Sequence, residues 1–173
     1  MERLNVVLDV THLSDRAFDE ALELYGGPIW ASHSNCRALV PHQRQFSDDQ
    51  LRRIVERDGV VGAAFDAWML QPGWIRGVSR NDAVSMRPSW TTSSTSCRLA
   101  GDARHAAVGS DLDGGFGREQ SPHDLDTIAD LQRLPALLAE RGYTEDDLTS
   151  IMHGAWVNLL RRVWADDGAE PAT

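Results

Sequence analysis

Histidine and aspartate side chains follow three apolar, strand-like runs of the sequence, and these residue types can bind a metal ion or move a proton. The runs and the polar residues that follow them are Val6–Val10 with His12, Pro28–Ala31 with His33, and Ala106–Gly109 with Asp111. In parallel α/β folds, reactive groups collect at the carboxyl ends of the strands. We therefore expect the three polar residues to meet at one end of a sheet.

The alternation of side chains along a strand refines this expectation for the two histidines. His12 shares a strand face with Val10, and His33 shares one with Ile29 and Ala31. If those faces point into a barrel, both imidazoles lie above its interior. Neighbouring strands lie about 4.8 Å apart, so both rings could reach one metal ion at about 2.0–2.1 Å. The competing interpretation is that each histidine is a hydrogen-bonded core or loop residue.

The other polar candidates are less distinctive. Asp111 shares its face with Ala107 and Gly109, whose small size leaves room for a ligand, but the pattern of residues 111–114 alone is typical of a turn. Four histidines lack a strand-end context and are predicted to be structural or solvated: His42, His105, His123 and His153. The six tryptophans are predicted to pack in the core or between helices.

Elements that could position these residues alternate along the first two-thirds of the sequence, which predicts an α/β fold with a parallel sheet. The run Gly59–Phe65 is a further predicted strand. The predicted helices are Asp15–Tyr25, a helix that opens with the capping box at Ser47 and runs to Glu56, Pro135–Arg141, Thr144–Met152 and Ala155–Trp164. The final third is therefore helical, and residues 165–173 are predicted to form a polar tail.

The Ser/Thr-rich segment 87–97 fits neither periodicity. One interpretation is a flexible, disordered loop. The other is a reading-frame error, because with GC-rich codons a shift of one base makes these residues spell an amphipathic helix. Sequencing the gene tests the second interpretation, since a continuous frame without compensating insertions or deletions against close relatives would exclude it.

Composition limits the classes of function. The 173 residues are 42% hydrophobic, enough for one globular domain, and the formal net charge of -9 argues against a nucleic-acid or anionic-membrane surface. Cys36 and Cys97 form neither a disulfide framework nor a metal-type pair. No apolar run approaches the roughly 20 residues of a membrane-spanning helix, and the first residues lack the apolar core of a signal peptide. We therefore expect a cytoplasmic protein.

Four segments together resemble the membrane (renal) dipeptidase family of zinc metallopeptidases. Residues 8–15, LDVTHLSD, resemble the family's D-x-S/A-H-x-S strand end, and residues 28–35, PIWASHSN, resemble its P-V-x-x-S-H-S element. Residues 41–49, PHQRQFSDD, resemble the R-N-x-x-D turn, and residues 108–114, VGSDLDG, resemble G-S-D-F-D-G. Order and spacing agree over nearly the whole chain except residues 87–97, so the set is specific although each motif alone is weak.

The resemblance implies a (β/α)8 barrel hydrolase that binds two zinc ions and cleaves dipeptides. His12 and His33 correspond to the two histidines that hold the second zinc. Arg44 corresponds to the arginine that binds the substrate, through its carboxylate. Asp111 corresponds to the active-site aspartate that contacts the substrate and handles a proton.

The chain also departs from the family pattern. The family's His-x-Asp pair, its bridging glutamate and a further histidine cannot be placed on this sequence, and Ala155 replaces the asparagine of the usual Gly-Asn-Trp. We therefore expect residues 1–164 to form a single partial domain, the carboxyl-terminal part of the barrel without its amino-terminal strands, and to be inactive alone. Three alternatives stay open: a truncated remnant, a chain that assembles with a separate amino-terminal half or with copies of itself, and an unrelated α/β binding module.

Overall fold

The computed structural model describes residues 1–112 and 114–165, and in this part of the chain four short strands form one parallel sheet in sequence order. The strands are β1 (Leu8–Asp9), β2 (Ile29–Ala31), β3 (Val60–Ala64) and β4 (Ala106–Ser110). Leu8 pairs with Ile29, Trp30 with Val60, and Val61 with Ala106. The predicted α/β class with a parallel sheet is confirmed, although β1, β2 and β3 are shorter than their apolar runs and β4 extends one residue beyond its run.

Helices alternate with these strands and then follow them. Their bounds are α1 (Asp15–Leu24), α2 (Asp48–Glu56), α3 (Ala67–Leu70), α4 (Ser89–Ala100), α5 (Leu134–Ala139), α6 (Glu145–Thr149) and α7 (Ala155–Trp164). A π-helical turn, Ser150–Gly154, joins α6 to α7, and 3₁₀ turns cover Glu2–Leu4, Asn81–Ala83, Arg118–Gln120 and Ile128–Arg133. The capping box at Ser47 is confirmed, because the backbone N–H of Gln50 donates to Ser47 Oγ and the backbone N–H of Ser47 donates to the side-chain oxygen of Gln50.

One face of the sheet is covered by α1 and α2. The buried residues at this contact are Val10, Ile29, Ala31 and Val61 from the sheet side, and Phe18, Leu51 and Ile54 from the helices. The condition set for placing both imidazoles above a barrel interior, that the faces of Val10, Ile29 and Ala31 point inward, is not met, since this is the helix-covered face. The alternation used to predict it fails beyond the strand end, because His12 has a φ of 71°, in the left-handed region.

The opposite face of the sheet is covered by α7. The buried residues at this contact are Val60 and Ala107 from the strands and Ala155 and Leu159 from the helix. Trp156 packs edge to face against Trp30, with ring centroids 5.5 Å apart, and its Nε1 donates to the carbonyl of Val108 at 2.9 Å. The helix thus also satisfies a backbone acceptor of β4.

The interpretation of residues 87–97 as a disordered loop is wrong, because most of this segment lies in α4. Trp90 is buried, and the hydroxyl of Thr92 accepts a hydrogen bond from the backbone N–H of Cys36 at 3.1 Å. The Ser89 hydroxyl donates to the carbonyl of Met86 at 2.6 Å. Packing of α4 against α2 and the sheet outweighs the weak helix propensity of serine and threonine. Among the described side chains, Ser96 Oγ is buried without a hydrogen-bond partner.

Two other sequence expectations concern the polar tail and membrane-spanning helices. In the proposed tail, residues 166–173 lie outside the described residues. No helix in ranges 1–112 and 114–165 is long and apolar enough to cross a membrane.

Candidate metal and substrate site

The carboxyl ends of β1, β2 and β4 bring His12, His33 and Asp111 together. The Nε2 atoms of the two histidines are 3.0 Å apart, and their ring centroids are 5.0 Å apart. Asp111 Oδ1 lies 3.8 Å from His33 Nε2. The structure thus places the three strand-end residues side by side, as their spacing predicts.

A hydrogen-bond network beneath the histidines fixes the ring of His33. Asp9 Oδ1 accepts from the backbone N–H groups of Thr11, at 3.0 Å, and Ser32, at 3.2 Å. The Ser32 hydroxyl donates to Thr11 Oγ1 at 3.4 Å and lies 2.7 Å from His33 Nδ1. The Ser32 hydroxyl thus bridges Thr11 and His33 Nδ1, and this contact orients the ring so that Nε2 of His33 faces His12.

The same hydrogen-bond network shifts the pKa of Asp9, the carboxylate at its centre. Burial raises the pKa of Asp9, but the hydrogen bonds from Ser32 and Thr11 outweigh burial and leave the pKa below its usual value. Asp9 is therefore ionised at neutral pH and holds the ends of β1 and β2 in register beneath the site.

Arg44 lies against the histidine pair from the loop before α2. Its Nη2 donates to the carbonyl of His33 at 2.9 Å and lies 3.3 Å from His12 Nε2, while Nη1 donates to the hydroxyl of Ser34. The backbone N–H of Arg44 donates to Nδ1 of His42 at 3.0 Å. Burial lowers the pKa of Arg44, and the negative charges of Asp111 and Asp9 oppose this shift.

The site shifts the pKa values of two of its groups in directions that suit chemistry near neutral pH. Burial, with help from the charges of Arg44 and His33, lowers the pKa of His12, so this imidazole is neutral and can donate a lone pair. Burial raises the pKa of Asp111, although His33 and Arg44 oppose the shift. His12, Ser110 and Asp111 all have positive φ values, of 71°, 46° and 61°, and such backbone strain clusters at functional sites.

The donor atoms fit a metal ion in part. Two nitrogens bound tetrahedrally to one zinc ion, each about 2.0–2.1 Å from it, lie about 3.3 Å apart, close to the observed separation of His12 and His33. Catalytic zinc has three protein ligands. In the described part of the chain, no group of three or more His, Cys, Asp and Glu residues is arranged to hold a metal ion. The histidines therefore fit as two ligands of a site that needs a third.

A cavity of about 580 Å³ opens beside the histidine pair. Its lining residues are His12, His42, Arg44, Trp68, Trp74 and Arg76. The sequence predicted a structural or solvated role for His42 and core packing for the tryptophans, and it did not single out Arg76. The last three residues follow β3, and loops after parallel strands form the binding face in such folds, so position after a strand is the signal that could have found them.

A larger cavity, of about 720 Å³, lies between α4 and α6 and includes Cys97 and Tyr143. Burial raises the pKa of the Cys97 thiol to about 11, so this cysteine is not poised as a nucleophile. None of the strand-end residues lines this cavity, and we assign the candidate site to the histidine pair.

A parallel α/β sheet with histidines, an arginine and an aspartate at its carboxyl edge is typical of metal-dependent hydrolases. This chain belongs to the membrane dipeptidase family, peptidase family M19, whose family model matches residues 1–170. The resemblance identified from the four motifs is thus confirmed.

Individual relatives agree with this assignment. The chain is 32% identical over 168 residues to an uncharacterized protein in the pqqA 5′ region of Klebsiella pneumoniae, covering 93% of this chain and 56% of that protein. It is 26% identical to dipeptidase tcpJ of Claviceps purpurea, and the match covers 94% of this chain and 36% of that protein. A solved structure of a metallo peptidase from Rhodobacter sphaeroides, liganded with a phosphinate mimic of the dipeptide L-Ala-D-Ala, is 30% identical to this chain. The two structures superpose with a TM-score of 0.81, over 94% of this chain and 44% of that protein. The chain therefore spans about half the length of such relatives, or less.

Proposed function

We propose that this chain carries part of the active site of a metal-dependent dipeptidase, which hydrolyses the peptide bond of dipeptides. The observation that carries the proposal is the 3.0 Å approach of the His12 and His33 Nε2 atoms, beside Arg44 and Asp111, at the carboxyl end of a parallel sheet. Family membership and relatives named as dipeptidases support it.

The metal we propose is zinc, with His12 and His33 as two of its ligands. Neutral imidazole nitrogens suit zinc, and a zinc ion bound in such a site activates water and polarises the scissile carbonyl. The protein's part is orientation: Ser32 and Thr11 hold the His33 ring so that Nε2 faces His12. Such outer hydrogen bonds commonly fix the tautomer of a ligating histidine.

Two further side chains have proposed roles toward the substrate. Arg44 binds the carboxylate of the dipeptide, because a guanidinium presents paired N–H donors that match two carboxylate oxygens. Asp111 exchanges a proton at its carboxylate, taking it from the attacking water and giving it to the leaving amine. Its raised pKa suits this task, since general acid–base groups work best with pKa values closer to the working pH.

We also propose that the four strands belong to an eight-stranded barrel and that this chain alone does not hydrolyse dipeptides. Support for inactivity is the ligand count, because the described residues supply two of the three protein ligands that catalytic zinc needs. A separate polypeptide segment, or a second copy of the chain, would have to supply the rest. The same ligand count favours the second candidate function, a non-catalytic member of the family.

Zinc content and hydrolysis of a small dipeptide panel test these proposals on the purified chain. We expect weak zinc binding that is lost in His12→Ala and in His33→Ala, and no hydrolysis. His153→Ala is the matched control, because His153 is exposed and is not part of the site. Zinc binding that survives both substitutions would contradict the proposed ligands, and hydrolysis that both substitutions abolish would contradict the proposed inactivity.

A further inference from the structure

Arg76 places a second guanidinium in the cavity that contains Arg44. His12, His42 and Arg44 line this cavity together with Trp68, Trp74 and Arg76. Its volume of about 580 Å³ lies within the range of roughly 300–1,000 Å³ of small-molecule sites, so a dipeptide can fit.

Arg76 is held in place by a buried carboxylate. Its Nη2 donates to Asp66 Oδ2 at 3.0 Å, and the side chain of Asp66 is 2% exposed. Gln120 Nε2 in turn donates to both oxygens of Asp66, at 2.8 and 2.9 Å, and the backbone N–H of Trp68 donates to Oδ1 at 3.3 Å. Asp66 is therefore fixed both by Gln120, from a distant segment, and by the first turn of α3, which it caps, and it anchors one edge of the guanidinium.

An aromatic ring restrains the same guanidinium. Arg76 Cζ lies 5.8 Å from the ring centroid of Trp68, within the range of a cation–π contact. His42 packs edge to face on that indole, with ring centroids 4.9 Å apart. Yet the side chain of Arg76 remains 62% exposed. Among the described residues its hydrogen-bonding partner is Asp66 alone, through one of its five N–H groups, so a ligand can reach the others.

From this arrangement we propose that the cavity selects dipeptides whose carboxyl-terminal residue is acidic, and that Arg76 is the specificity-determining residue. The inference rests on the proposed function, in which Arg44 binds the α-carboxylate. A neutral dipeptide has no group for a second guanidinium in the cavity, whereas a Glu side chain offers a second carboxylate that matches its donor fork.

A second arginine after β3 shows what an ordinary surface arginine looks like here. Arg80 is 84% exposed and pairs with Asp82, two residues away and itself exposed. It is not among the residues that line the cavity. Arg80→Gln therefore removes the same charge as Arg76→Gln from a nearby position without touching the proposed site, which makes it the matched control.

Calorimetric titration of the zinc-loaded chain with Ala-Glu and with Ala-Gln tests the proposal, because the two dipeptides differ in side-chain charge at nearly equal size. We expect Ala-Glu to bind about fivefold more tightly, the scale of one partly solvated ion pair. In Arg76→Gln, the ratio of the affinity for Ala-Glu to the affinity for Ala-Gln should fall to about one, because Ala-Glu binds more weakly while Ala-Gln binding is unchanged. In Arg80→Gln, this ratio should stay at its value in the unsubstituted chain.

Three results would overturn the proposal: equal affinities in the unsubstituted chain, no measurable binding of Ala-Glu, or a preference that survives Arg76→Gln. Arg44→Gln separates this failure from failure of the proposed function. If it weakens both dipeptides while the preference is absent, the carboxylate site stands and the role of Arg76 is wrong. If it leaves the affinity for Ala-Gln unchanged, the proposed carboxylate site is itself wrong.

Discussion

Gly62 lies in β3, where the backbone of Ser32, the backbone of Gly109 and the side chain of Trp156 approach one another. A Cβ atom at this position would overlap the carbonyl oxygen of Ser32, lie 2.7 Å from the Cα of Gly109, and lie 2.9 Å from Cζ2 of Trp156. The first two neighbours are backbone atoms of adjoining strands, which cannot move aside as the end of a flexible side chain can. Gly62→Ala therefore forces strands apart.

The cost follows from these contacts. Added methyl groups in a packed interior destabilise by about 1–3 kcal/mol, and the two backbone overlaps put this one at the upper end, about 3 kcal/mol. For a chain of this size, each kcal/mol lowers Tm by roughly 2–4 °C, so we expect a decrease of roughly 6–12 °C. Ser32 must shift as well, and because Ser32 orients His33, zinc binding should weaken along with stability.

Thermal unfolding followed by circular dichroism, together with zinc titration of the folded variant, measures both effects. Gly26→Ala is the control, since a Cβ there meets only the side chain of Glu2, at 3.4 Å, and should change stability by less than about 1 kcal/mol. A Gly62→Ala variant that has the same Tm as the unsubstituted protein and binds zinc equally well would refute the close-packing argument.

Three further predictions concern a buried amide, a helix cap and a buried thiol. Asn35→Ala should destabilise by about 3 kcal/mol in urea unfolding, because the buried amide pairs both the N–H and the carbonyl of Ala64; an unchanged midpoint would contradict this. Thr144→Ala should cost about 1 kcal/mol by removing the cap on the Asp147 N–H, and Thr144→Ser should restore it. Because burial raises the pKa of Cys97 to about 11, roughly one part in a thousand of this thiol should be thiolate at pH 8. Cys97 should therefore react slowly with iodoacetamide until urea unfolds the chain. Rapid alkylation of the native protein would contradict the raised pKa of the buried thiol.

Local signals in the sequence predicted much of the secondary structure correctly. The capping box at Ser47 and the apolar periodicity of Ala155–Trp164 predict α2 and α7 with the bounds that the structure has. Such signals work because caps and helical periodicity involve residues three or four positions apart. They fail for α4, where the serines and threonines carry no periodicity and the helix depends on partners such as Cys36, 56 residues away.

The meeting of the strand-end residues was predictable from the sequence, but the geometry of the site and the further residues of its cavity were not. The order of strand ends alone brings His12, His33 and Asp111 together, because parallel strands present their carboxyl ends at one edge. The face argument built on Val10 nevertheless failed, since β1 ends at Asp9 and His12 has a positive φ, outside extended backbone. Strand alternation is a property of extended backbone, and it does not extend into a turn.

The sequence by itself determined the fold class, the family and the set of polar residues at the strand ends, because each depends on local patterns or on motif order. Only the tertiary structure decided which sheet face the helices cover, how Ser32 orients His33, and that Trp68, Trp74 and Arg76 share a cavity with Arg44. These features depend on contacts between residues distant in the chain, and the distances and directions of such contacts exist only once the strands and loops have packed.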